Sequence, residues 1–245
     1  LFRETLGVEI SLPLPRLTYA EAMSRFGSDK PDTRFGLELC DVSDLVKTCG
    51  FSVFRQAVEN GGSVRCINAK GASAAFSRKE IDALGEFVKT YRAKGLAWMN
   101  AKPEGLQSPI AKFLSEEELK AIVSRIGLET GDIAFFVADR DETVFAALGA
   151  LRLKLADKLQ LIPEHQYNLW VTDFPLLEWS EEQNRYVAMH HPFTSPKDED
   201  LDKLLTDPGS VRAKAYDIVL NGVEIGGGSI RIHSAELQQQ MFSVL

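Results

Sequence analysis

No apolar run in these 245 residues approaches the ~20 needed to cross a bilayer; the longest, such as IAFFVA, have the length of a buried strand. A membrane partner is therefore not expected. The three cysteines, Cys40, Cys49 and Cys66, are odd in number and lack C-x-x-C spacing, which argues against a disulfide framework and a zinc site. They read as packing residues of a protein kept in a reducing compartment, here the cytoplasm. A basic surplus is also missing. The formal charge of −7 excludes a broad nucleic-acid-binding face, so such a partner must meet a local patch or parts of a larger protein. There is no initiator Met and no signal-peptide pattern, and the last residues, MFSVL, lie inside an amphipathic helical pattern. Both ends look cut, so the chain reads as a piece of a longer protein.

The remaining composition, 44% apolar and 26% charged, is ordinary for a soluble globular protein, with room for one large domain or two smaller ones. Near the start, TYAEAMSRFG carries a capping box, Thr18 with Glu21, and a terminating Gly27, which predicts a short helix. The polar loop GSDKPDTR follows, in which Pro31 turns Lys30 away from helical angles. Residues 35–150 alternate short strands with capped helices. FSVFRQAV and SVRCINAK, joined by ENGG, read as a hairpin. SRKEIDALGEFVKTYRAKG and SEEELKAIVSRIG each open with a capping box, Ser77 with Glu80 and Ser115 with Glu118. Gly95 is expected to close the first of these helices. LAWMNA and DIAFFVADR complete a block able to fold alone, either as an inserted module or as part of one larger core. The last third holds strand-like NLWVTDFPLLEW, RYVAMHHPFT and AYDIVLNGVEIGG, with Asn221-Gly222 as a tight turn, and so implies an antiparallel sheet.

The segment NGVEIGGGSIRIH places Glu224, three glycines and Arg231 in what otherwise reads as strand. Glycine weakens a strand, so Gly226, Gly227 and Gly228 call for a bulge, a bend or a ligand against the backbone. In a regular strand Glu224 and Arg231, seven apart, point to opposite faces. A bulge at the glycines would bring both to one cavity. Arginine suits bidentate recognition of a carboxylate or phosphate, and glutamate suits a phosphate-bound Mg²⁺. Asp217 lies across the proposed turn as a second candidate metal ligand. From spacing alone, an exposed strand end with an incidental charge pair fits as well. His190 and His191 are candidate ligands, acid/base groups or hydrogen-bond donors, but adjacent strand residues face opposite ways, so at most one faces a site.

Taken together, GSDKPDTRFG, WVTDFPLLEW, HHPFTSPK and AYDIVLNGVEIGGGSIRIH resemble the bacterial form of aspartyl-tRNA synthetase, a class II aminoacyl-tRNA synthetase. The resemblance covers essentially the whole chain. It implies an α+β fold, an antiparallel class II sheet flanked by helices with an inserted α+β domain. On this reading, residues 1–34 and 151–245 are catalytic-core segments and residues 35–150 the insertion, a module shared with the B subunit of the tRNA-dependent amidotransferase. It also implies roles. Arg231 grips the side-chain carboxylate of aspartate, with His190 and His191 positioning the amino acid. Asp217 and Glu224 hold Mg²⁺ on ATP, and Gly226, Gly227 and Gly228 line the adenosine site. The implied partners are ATP, L-aspartate and the aspartate tRNA, in a homodimeric parent. Rejection of asparagine would follow from a buried guanidinium left without its carboxylate. The family's anticodon-reading domain and its three signature motifs are not found in the chain, so the chain alone is expected to be inactive. The competing readings are a non-catalytic module binding tRNA or a subunit, and a related synthetase for asparagine or lysine. The GGGSIR string and the insertion count against the latter.

Overall fold

The structure, a computed structural model, describes residues 2–165 and 167–245. In chain order its elements begin with α1 (Phe2–Leu6), β1 (Arg16–Thr18), α2 (Tyr19–Phe26), β2 (Leu39–Asp41), α3 (Ser43–Val46) and α4 (Ser52–Glu59). Next come β3 (Ser63–Ala69), α5 (Arg78–Lys89), β4 (Ala97–Lys102), β5 (Gly105–Gln107), α6 (Glu116–Ile126), β6 (Ile133–Asp139) and α7 (Asp141–Lys158). The last are β7 (Asn168–Thr172), β8 (Leu177–Ser180), β9 (Arg185–Ala188), β10 (Ala215–Leu220), β11 (Val223–Ser229) and α8 (Ala235–Val244). They form the expected α+β fold. No helix among the described residues is long and apolar enough to cross a membrane.

The chain divides into two compact units. One comprises Met23–Ser28 and Arg34–Glu164. Its antiparallel sheet has the order β2-β3-β6-β4-β5. The run IAFFVA of β6 is apolar throughout because both its faces are covered: Ile133, Phe135 and Val137 join a core with α5 and α7, while Ala134, Phe136 and Ala138 join another with α4 and α6. The two capping boxes predicted in this unit, at Ser77 and Ser115, are formed, as is the third at Thr18, and Gly127 ends α6 in the left-handed conformation. Such ends form from neighbours in sequence, which is why they can be read locally.

Two expectations are corrected here. FSVFRQAV is helix α4 and not a strand, because Phe51, Phe54 and Val58 repeat at helical spacing and Phe54 is buried against Phe136. Asn60-Gly61 accordingly closes that helix, with Gly61 at φ 77° donating to Val58 O. Helix α5 stops before Gly95, at a turn where Arg92 takes φ 68°. The compact unit runs to Glu164, and α7 buries Leu151 and Leu155 in its core.

The other unit comprises Leu1–Ala22, Asp29–Thr33 and His165–Leu245. Its main sheet has the order β1-β7-β10-β11; β7, β10 and β11 are antiparallel, whereas β1 pairs with β7 in parallel. One face carries Leu169, Val171, Ala215 and Val219 into a core closed by Phe174, Leu204 and Met241. Strands β8 and β9 form a separate hairpin.

Candidate functional site

The β10–β11 hairpin turns at Asn221 (φ 50°) and Gly222 (φ 81°), the positive pair required by the tightest two-residue turn. A Cβ on Gly222 would sit 3.1 Å from the Cβ of Asp32, so the loop containing SDKPD packs on this turn. Below the turn the register is Val219 opposite Glu224, then Ile218 opposite Gly226, with Ile225 as the extra residue of a bulge. The glycines themselves are in register, Gly226, Gly227 and Gly228 facing Ile218, Asp217 and Tyr216. The bulge expected at the glycines therefore stands one residue earlier.

Its consequence is a change of parity. Residues directly opposite share a face, so Glu224 lies with Val219 and Gly227 with Asp217, both on one face. With one of the seven steps to Arg231 absorbed by the bulge, Arg231 also returns to that face. The side chains agree: buried Thr194 lies with its hydroxyl 3.3 Å from that of Ser229 and accepts from Arg231 Nη1 at 3.3 Å. Asp217, Glu224, Ser229 and Arg231 thus share one face of the hairpin and its extension.

The three glycines are not equivalent. A side chain at Gly227 would collide with Asp217 Oδ1. At Gly228 it would meet the Tyr216 ring, 3.0 Å from the hydroxyl oxygen, whereas at Gly226 the nearest atom is Ile218 Cγ2 at an ordinary 3.6 Å. Gly227 is therefore small because the carboxylate of Asp217 lies across it.

Asp217 is half-buried, and its carboxyl is held above the usual range, first by burial and then by the charge of Glu224. Asp29 adds to this, while His190 and Lys30 oppose it. Asp29 and Lys30 were missed as site residues: SDKPD reads as a polar connector, and only the tertiary fold brings it beside Asp217. His190 packs edge-on against Phe174 at 4.8 Å. His191 turns to its own loop, where it packs on Phe193 at 4.9 Å and its Nδ1 accepts the Phe193 N–H at 3.1 Å. Of the two histidines, only His190 is thus seen to act on the carboxylate cluster. Arg231, expected to be buried, is exposed.

Two carboxylates on one face, the charge of Glu224 raising the protonation of Asp217, are well suited to a divalent cation. Among the described residues no group of three or more His, Cys, Asp or Glu could enclose a metal. That donor set fits Mg²⁺ carried by phosphates, which takes one or two carboxylates and leaves the rest of its shell to water and phosphate oxygens.

Residues 54–148 match the GAD domain family. Over its full length the chain is 61% identical to the aspartate–tRNA ligase of Ruminiclostridium cellulolyticum, covering 41% of that protein. It is 59% identical to the aspartate–tRNA(Asp/Asn) ligase of Lachnoclostridium phytofermentans, also covering 41%, and 56% identical to the enzyme of the same name from Bacillus cytotoxicus, covering 42%. The chain therefore spans about two fifths of the length of these curated relatives.

Proposed function

We propose, on the premise that this chain is a segment of the bacterial-type aspartyl-tRNA synthetases, that it supplies the aspartate-gripping and metal-holding side of a site activating aspartate with ATP. The observation behind this reading is the shared face of Asp217, Glu224 and Arg231, created by the bulge at Ile225. The activity belongs to the parent protein that contains the chain.

In this reading Arg231, steadied by Thr194, pairs with the side-chain carboxylate of aspartate through two parallel N–H donors. Asparagine offers one neutral acceptor in place of a second anionic oxygen, and so loses the charge-assisted bond. Asp217 and Glu224 would hold a Mg²⁺, which would neutralise charge on the phosphates of ATP. Gly227 makes room for the Asp217 carboxylate, and the segment Gly226–Gly228 lines the nucleotide site. His190, beside the carboxylates, positions the amino acid; His191 serves the loop that carries Thr194. With both substrates fixed, the aspartate α-carboxylate attacks the α-phosphorus in line and pyrophosphate leaves; the terminal ribose hydroxyl of tRNA then attacks the carbonyl of the aspartyl-adenylate, and AMP leaves.

Two variants test this assignment. Gly227→Ala pushes the Asp217 carboxylate off its position, and a displacement of about 1 Å lowers aspartate-dependent ATP–pyrophosphate exchange by the parent about 100-fold. Gly226→Ala, which meets only the Ile218 methyl, loses less. Asp217→Asn separates stability from activity. The folded carboxyl of Asp217 is held above its unfolded value, so its ionisation costs stability as pH rises from the unfolded pKa of about 3.9 through the higher folded one. The asparagine variant of the 245-residue chain should gain urea resistance over wild type across that window, while the same substitution in the parent lowers exchange. Unchanged exchange would remove Asp217 from the metal site.

A further inference from the structure

Cys40 on β2 and Cys66 on β3 stand directly opposite each other in the antiparallel ladder, with Leu39 opposite Ile67 and Asp41 opposite Arg65 on either side. Opposite residues share a face, so both thiols project to the same side of the sheet. The Val42 N–H donates to Val64 O at 2.9 Å, and the ladder alternates every two residues. Cys40 and Cys66 are thus a hydrogen-bonded pair, in which Cα atoms lie about 5.5 Å apart. Disulfides span the same separation.

The two thiols differ in access and in acidity. Cys66 is fully buried and Cys40 half-buried, so a small reagent in solvent reaches Cys40 first. The Cys40 thiol donates to Asp41 O at 3.9 Å and lies within 4.0 Å of Arg125 O. It is lowered to about 7 by the neighbouring Cys66 thiol, against the effect of burial, with further help from Arg125 and Arg65 and opposition from Asp41. The Cys66 thiol is pushed up by its Cys40 neighbour and by burial. Arg125, on α6, is fixed there by Asp44 at 2.9 Å, and Arg65 by Asp41 at 2.9 Å. The ladder thus sets a half-exposed thiol directly opposite a buried one, the arrangement of an attacking and a resolving cysteine. Cys49 stands apart, buried, with its thiol donating to Phe51 O at 3.6 Å.

We propose that Cys40 and Cys66 form a reversible oxidation site, which a hydroperoxide converts into a disulfide linking β2 to β3. The Cys40 thiolate attacks one peroxide oxygen and the O–O bond breaks. With hydrogen peroxide this gives Cys40 sulfenic acid and hydroxide. The Cys66 sulfur then attacks the Cys40 sulfur, its thiol proton and the sulfenic hydroxyl leave together as water, and the S–S bond forms. The pair loses two electrons, the peroxide gains them, and a small thiol reverses the change by exchange.

The test exposes the intact 245-residue chain to hydrogen peroxide, removes the oxidant, and counts free thiols by maleimide mass labelling under denaturing conditions. Titratable thiols fall from three to one per chain, dithiothreitol restores all three, and peptide mapping finds Cys40 joined to Cys66. Cys49→Ala still loses two thiols. Cys40→Ser, at the half-exposed position, loses none by this route, and Cys66→Ala holds Cys40 as a sulfenic acid labelled by dimedone. Survival of all three thiols in wild type would overturn the proposal. So would a Cys40 oxidised without its link to Cys66, or loss of thiols through bonds between chains.

Discussion

Arg231→Leu in the parent protein lowers kcat/KM for aspartate in the exchange reaction about 10²- to 10³-fold. In the proposed pairing the guanidinium gives the substrate carboxylate two charge-assisted bonds, and losing both costs about 3–4 kcal/mol, at about 1.4 kcal/mol per factor of ten. Arg231→Lys recovers only part of this. A lysine brings one point charge where the fork of arginine offers two parallel donors, and it cannot keep the same orientation beside Thr194. The loss should fall on aspartate and leave the KM for ATP little changed, because Arg231 sits at the Thr194 end of the face and the two carboxylates at the other. A variant with unchanged kinetics for aspartate would show that Arg231 does not grip it.

Asp200→Ala destabilises the 245-residue chain by about 2 kcal/mol. Asp200 is 1% exposed and accepts from Arg212 Nε at 2.7 Å, from the Arg212 backbone N–H at 3.1 Å and from Lys203 at 3.0 Å. Removing the carboxylate leaves the Arg212 backbone N–H without its acceptor and takes from the guanidinium its nearest anion, although Glu199 remains at 3.3 Å. The cost reaches the site as well. Arg212 O accepts the Lys197 N–H at 2.8 Å, and the neighbouring Ala213 N–H reaches Phe174 O at 2.7 Å, so the segment around Arg212 is stitched to the stretch that presents Thr194. The pH dependence has a definite sign. Arg212 holds the Asp200 carboxyl far below its usual range, so its contribution is present above the unfolded pKa of about 3.9 and is lost as pH falls towards the folded value. Urea unfolding of wild type and Asp200→Asn should differ most near pH 7 and converge in acid.

The parts of the fold that could be read from sequence are those settled by neighbours in the chain. Ser77 with Glu80 and Ser115 with Glu118 close their capping boxes within three residues, and the Asn221-Gly222 turn needs only its own two positive φ angles. Helix α4 was misread because FSVF mimics strand alternation until Phe54 is seen packed against Phe136, more than eighty positions away. In the candidate site, the residue types and the ends of the hairpin were legible, but its parity was not. Ile225 is β-branched and carries no mark of a bulge, whereas the glycines do, and attention went to them. Asp29 and Lys30 escaped for a related reason: a polar loop beside a proline has no local signal for a carboxylate nearly two hundred residues away.

The most direct test of the central claim is ATP–pyrophosphate exchange by the folded parent protein, with aspartate, asparagine and lysine offered separately in the presence of Mg²⁺. Exchange with aspartate alone is the predicted result, since a face presenting Arg231 beside two carboxylates suits an acidic side chain and a metal–nucleotide. Exchange with none of the three, or with lysine as readily as aspartate, would contradict it.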